Sequence, residues 1–174
     1  MMRSLCIFLL IVIPFAGIKA QDKPMPGDWM RKIGVGGNVG LRFGDVTYVE
    51  LSPIVGYRLA SFIMPGIGGS YRYYKDRYSN TGINIWGASA WVRVYPLPMI
   101  FGYAEHEELY GAFDYYFPQR KYFIGTNFVG AGYSQELGNN STYIMLLFAV
   151  NQDPNSIYRN PILRVGFMIG GNVE

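Results

Sequence analysis

The stretch Arg31 to Asp45, RKIGVGGNVGLRFGD, alternates with a period of two. Ile33, Val35, Val39, Leu41 and Phe43 share one face, and Gly34, Gly36, Asn38, Gly40 and Arg42 the other. Successive strand side chains point to opposite sides, so the pattern predicts a β-strand. The rhythm returns along the chain. In residues 46–59, Val49, Leu51, Val55, Tyr57 and Leu59 oppose Glu50, Ser52, Gly56 and Arg58; in 65–74, Ile67, Tyr71 and Tyr73 oppose Gly66, Gly68, Ser70 and Arg72. Residues 85–96 set Trp86, Ala88, Ala90 and Val92 against Gly87, Ser89, Trp91 and Arg93, and residues 161–171 set Leu163, Val165, Phe167 and Ile169 against Arg164, Gly166 and Met168. Phe101 to Tyr110, Tyr122 to Gln135 and Thr142 to Val150 are three further, less regular candidates. The total is about eight strands, mostly ~10 residues long, the length a tilted strand needs to cross a bilayer.

The glycines of the first stretch are not a dinucleotide loop. Counting from Gly34 and Gly36, the third glycine of G-x-G-x-x-G falls on Val39. Turn chemistry lies at Gly44, at Pro96 to Met99 and at Leu137 to Ser141, and longer polar segments lie near Lys75 to Thr81, Ala112 to Arg120 and Asn151 to Asn160. Short turns on one rim and longer loops on the other are the habit of an outer-membrane barrel.

Which face is inside decides between a soluble and a membrane barrel. A narrow eight-stranded interior has no room for all the bulky residues of the apolar face. Glycine on a water-facing surface answers no steric need. The face bearing Gly34, Gly36, Gly56, Gly66, Gly68 and Gly166 also carries most of the arginines, so it is expected to line a closed polar lumen, the glycines making room for charged side chains. The bulky face then meets lipid. Tyr57, Tyr71, Tyr73, Tyr95, Tyr110, Tyr122, Tyr133 and Tyr143 fall at or near strand ends, where interfacial girdles form.

Composition narrows the class. With 22 glycines and 17% aromatic residues but only 16% charged ones, a helical fold would carry a penalty of ~1 kcal/mol per interior glycine. Residues 1–20 pair Arg3 with an apolar run from Leu5 to Ala16 and end at Ala20, which reads as a secretory signal peptide cleaved before residues 21–174. Cys6, the only cysteine, lies in that leader, which leaves the exported domain no disulfide or thiol chemistry. Removing Arg3 and Lys19 takes the 15 basic residues to 13 against 12 acidic ones, a net charge of +1 with no call for nucleic acid.

The runs LSPIVGYRL, WGASAWVRVYPLP, FGYAEHEELYG, FVGAGYSQ and NPILRVGFMIGG resemble the small outer-membrane β-barrel proteins of Bacteroidetes, similar in architecture to OmpA and OmpX barrels. The resemblance covers nearly all of the chain after the leader. It implies architecture rather than activity, because such barrels serve as adhesins, anchors or lipid-modifying enzymes. Members commonly end in an aromatic residue, whereas this sequence ends GGNVE.

Candidate chemistry is sparse. His106, the only histidine, lies among Glu105, Glu107 and Glu108, with Glu105 and Glu107 on one face and His106 and Glu108 on the other. Metal sites need several convergent ligands, usually more than one histidine. Lipid-directed barrel enzymes place a serine beside the histidine, but Glu108 stands two residues after His106. Buried charges need partners, so Arg42, Glu50, Arg72, Arg93, Glu105, Glu107 and Arg164 are expected to form one lumen charge network. The expectation is therefore an all-β protein, an eight-stranded antiparallel transmembrane β-barrel with an up-and-down meander, exported to the outer membrane. It is expected to be a monomer with a non-enzymatic structural or surface-interaction role, no cofactor and no metal. Its partners are outer-membrane lipid, the barrel-insertion machinery and an unidentified surface ligand. The alternatives are a lipid-modifying enzyme using His106 and a soluble exported ligand-binding barrel.

Overall fold

A computed structural model describes residues 28–42, 46–76, 82–112, 121–151, 158 and 160–171. A short helix, α1 (Asp28–Arg31), precedes eight strands: β1 (Ile33–Arg42), β2 (Val46–Tyr57), β3 (Ile63–Asp76), β4 (Ile83–Leu97), β5 (Ile100–Ala112), β6 (Lys121–Leu137), β7 (Asn140–Ala149) and β8 (Ile162–Gly170). Each strand pairs antiparallel with the next and β8 returns to β1, closing an up-and-down barrel. Leader residues 1–20, the turn glycine Gly44 and the loops 77–81 and 113–120 lie outside the described residues.

All eight expected strands form, but β3 to β6 run to 14, 15, 13 and 17 residues rather than ten. Their ladders carry the β3–β4 and β5–β6 hairpins past the ends of β7 and β8. Followed once round the barrel, through Gly34, Gly56, Gly66, Trp91, Glu105, Phe128 and Ala149, the pairing register climbs by about ten residues along β1, a shear that tilts the strands by roughly 35–45°. Between β6 and β7, Gly138 takes φ 65°, a left-handed turn position open to glycine.

Alternation sorts the side chains as the period-two pattern predicts. Along β7, Ser141, Tyr143, Met145, Leu147 and Ala149 are buried while Thr142, Ile144, Leu146 and Phe148 are exposed. The buried cluster includes Ile54, Met64, Trp91, Phe101, Tyr103 and Met145. Interior glycines accommodate these bulky groups rather than charged ones. A Cβ on Gly34 would meet Met64 and Met168, on Gly56 or Gly66 the indole of Trp91, and on Gly132 the ring of Phe101. The expected tyrosine girdle is also corrected in part, because Tyr143 is buried inside and Tyr95 packs against the same interior cluster. Parity explains both: Tyr95 shares a face with Arg93, and Tyr143 with Met145.

Candidate functional site

Charged residues gather toward the end where β5 meets β6 through residues 113–120. Arg72 on β3 is 1% exposed, and its Nη2 donates to Glu107 Oε1 on β5 at 2.9 Å and to Glu50 Oε1 on β2 at 3.1 Å. Its Nη1 donates to Ser70 Oγ at 3.1 Å, and Ser70 donates onward to Glu107 Oε1 at 3.1 Å. Ser52 donates to Glu50 at 3.1 Å. One carboxylate thus receives a guanidinium and a hydroxyl, as a buried ion requires. Arg164 on β8 donates from Nη1 to Glu105 Oε2 at 2.6 Å.

Tyr158, between β7 and β8, covers this layer. Its hydroxyl donates to Glu107 Oε2, its ring meets Phe128 edge-on at 4.8 Å, and the Arg72 guanidinium lies 5.4 Å from its centroid. Burial pushes its phenol well above the usual range; the Arg72 guanidinium opposes that shift and the Glu107 carboxylate adds to it.

Arg93 is handled differently. It is 1% exposed, and among the described residues it has no carboxylate partner. Instead its guanidinium lies 4.0 Å from the centroid of Tyr143, 4.8 Å from Phe101, 5.2 Å from Trp91 and 5.8 Å from Tyr103. A desolvated cation over aromatic faces gains ~2 kcal/mol in favourable cases. The expected single network is therefore two arrangements, ion pairs at one level and an aromatic box at another. Arg42 pairs with Tyr48 in the β1–β2 ladder, and its side chain lies outside the described residues.

Arg58, Tyr158 and the aromatic box were not singled out from sequence. Arg58 is buried at the other end of the barrel, donating from Nε to Gly171 O at 2.9 Å and stacking 4.1 Å from the Tyr95 centroid. It directly follows β2, whose parity already placed it on the inner face.

The outer wall carries two features. Gly37 and Gly69 floor an open, apolar trough of about 570 Å³ walled by Val39, Leu51, Tyr71 and Trp86. On β5 and β6, His106 Nδ1 lies 2.6 Å from Asn127 Oδ1 and its Nε2 lies 3.1 Å from Glu108 Oε1. Its partners are an amide and a carboxylate, with no serine or threonine hydroxyl among them. Among the described residues no group of three or more His, Cys, Asp or Glu is placed to hold a metal ion.

The fold defines a class, the small closed antiparallel β-barrels of eight strands. Neither a protein-family model nor a curated protein matches the chain.

Proposed function

We propose that the protein is an integral outer-membrane β-barrel, exported through a cleaved signal peptide, with a structural or surface-interaction role and no catalytic one. The observation that carries this reading is the outer wall. Val35, Val55, Ile67, Ile144, Leu163 and Val165, from five different strands, are all 44–67% exposed. An apolar surface that surrounds the barrel far exceeds the patches that soluble monomers leave in water. Hydrocarbon is the solvent that suits it, and closure leaves no unpaired strand edge there.

The interior supports a structural role over transport. Ion pairs and aromatic rings occupy successive levels, so the polar part of the lumen is a plug rather than a path. His106 supports binding over nucleophilic catalysis, because its hydrogen-bond partners supply no attacking hydroxyl. On this reading the partners are membrane lipid, the barrel-insertion machinery and a surface ligand met by the connections between strands. The test is fractionation. The protein should stay with the outer membrane through an alkaline carbonate wash and leave it only in detergent; recovery as a soluble periplasmic protein would overturn the reading.

A further inference from the structure

The outer wall is not uniform. On β7, β8, β1 and β2 its outward residues are bulky, among them Leu146, Phe148, Leu163, Val35 and Leu51. Around the middle of the β5 face several are small: Ala88 and Ala90 on β4, Ala104 on β5 and Ala131 on β6 are all exposed, with Val129 beside Ala104 the bulkier neighbour. In that smooth region stand His106, Glu108 and Asn127. The side chains of His106 and Glu108 are 53% and 47% exposed. Among the described residues, Glu108 Oε2 accepts no hydrogen bond and Asn127 Nδ2 donates none. An open acceptor and an open donor thus share one lipid-facing patch. Nearer the long hairpin end, Phe123 is 70% exposed and packs on Tyr110 with centroids 4.8 Å apart.

We infer that this face pairs with the same face of a second copy of the chain. The inference rests on the membrane reading, since only in hydrocarbon do the open polar atoms lack water. His106 pairs with Asn127 in the β5–β6 ladder, and the strand tilt brings Asn127 to a height between His106 and Glu108. A twofold axis along the membrane normal, passing between β5 and β6, therefore sets Glu108 of each copy against Asn127 of the other. An isologous contact needs this self-complementarity. Nδ2–H of Asn127 then donates to Glu108 Oε2 twice, once in each direction. Going toward the short-turn end, the tilt brings Ala90 and Ala104 under the axis, where small side chains let two walls approach closely. Toward the other end it brings Phe123 near the axis, giving the pair an aromatic contact. A dimer differs from the monomer expected from the sequence, and crosslinking distinguishes the two.

Thiol crosslinking in native outer membranes tests this. With Cys6→Ser as background, Ala104→Cys should convert most of the protein to a covalent dimer with a short bifunctional maleimide. Val55→Cys, on the far wall and 44% exposed, should remain monomeric. Adding Glu108→Ala and Asn127→Ala to Ala104→Cys should lower the dimer yield several-fold, while heat-modifiable gel mobility reports that the barrel is intact. Membrane-embedded protein that gives no dimer at Ala104→Cys, or equal yields at both sites, overturns the pairing and leaves the membrane reading standing. So does a monomer in native mass spectrometry that carries a lipid lost on Glu108→Ala, because a lipid headgroup then covers the cluster. Protein found in the soluble fraction instead removes the membrane reading itself.

Discussion

Gly66 and Trp91 face each other across the β3–β4 ladder, and the indole of Trp91 occupies the space that a Cβ on Gly66 would need. The same ring lies over Gly56, and its Nε1 donates to Ile67 O at 3.2 Å. The interior of a barrel this narrow is filled by pairing a large side chain on one strand with an absent one on the next.

Gly66→Ala should therefore destabilise the barrel by ~1–3 kcal/mol, the cost of overpacking a filled core. Gly69→Ala, three pairs along and facing outward with its nearest foreign heavy atom 3.8 Å from the new Cβ, should be near neutral. Urea unfolding in detergent measures both. Combining Gly66→Ala with Trp91→Leu should recover the part of the loss that comes from the ring, while the contact with the Val55 backbone oxygen remains, a coupling a double-mutant cycle reads directly. Equal penalties at Gly66 and Gly69 would mean the two faces are inverted.

Much of this was legible in the sequence because the strand period is two and one slip moves every side chain to the other face. Parity alone put Arg72, Glu107 and Arg164 inside and His106, Ile67 and Val165 outside. What glycine makes room for was not legible. Gly66 is silent about its partner until the register sets it opposite Trp91, a pairing fixed by turn lengths and shear rather than by local pattern. The same limit hid the treatment of Arg93. Its need for a partner followed from charge, but the choice of Tyr143 and Phe101 over a carboxylate depended on three-dimensional level. Asn127 had no local signal, because it lies 21 residues from His106 in the chain.

The ion-pair layer makes a second prediction. Glu107→Ala leaves Arg72 short of its better-buried carboxylate, and breaking such a pair costs ~3–5 kcal/mol. Glu50→Ala should cost less, since its side chain is 20% exposed and water can replace it. Replacing both partners, Arg72→Met with Glu107→Leu, should restore most of the stability, because apolar isosteres remove the desolvation cost with the charges. Refolding yields into vesicles, compared across the three variants, check that order.

Tyr158 gives the layer a pH dependence. Its phenol is raised in the folded state, so its contribution is fully present below the unfolded value of about 10 and is lost as the pH climbs through the raised folded value. Alkaline titration should find this phenol resisting ionisation until the fold loosens. Tyr158→Phe should keep the ring contact with Phe128, lose the bond to Glu107, and remove that part of the alkaline transition. An unchanged transition in Tyr158→Phe would show that the hydroxyl makes no such contribution.

Ile67 stands at mid-height on the outer wall and is 67% exposed. If lipid surrounds it, Ile67→Lys should lower stability in bilayers by ~2–4 kcal/mol and reduce the amount recovered in the outer membrane. The same substitution on a water-facing wall would be harmless or would improve solubility. Comparing folding in vesicles of Ile67→Lys and wild type separates the two environments.

The last prediction concerns ion flow. Arg72 meets Glu50 and Glu107, and Arg164 meets Glu105, while Arg93 is enclosed by four aromatic rings at another level. An ion crossing the barrel would have to part the pairs and then pass the rings. An eight-stranded interior has just enough width to be filled by side chains. The reconstituted wild-type protein should show no steady conductance in a planar bilayer. Opening the layer with Glu105→Ala and Glu107→Ala should not create a selective channel either, because it takes the carboxylate from Arg164 and the better-buried of two carboxylates from Arg72, and the fold yields first. A large, reproducible current from the wild-type protein would refute the plug and move the favoured role from structure to transport.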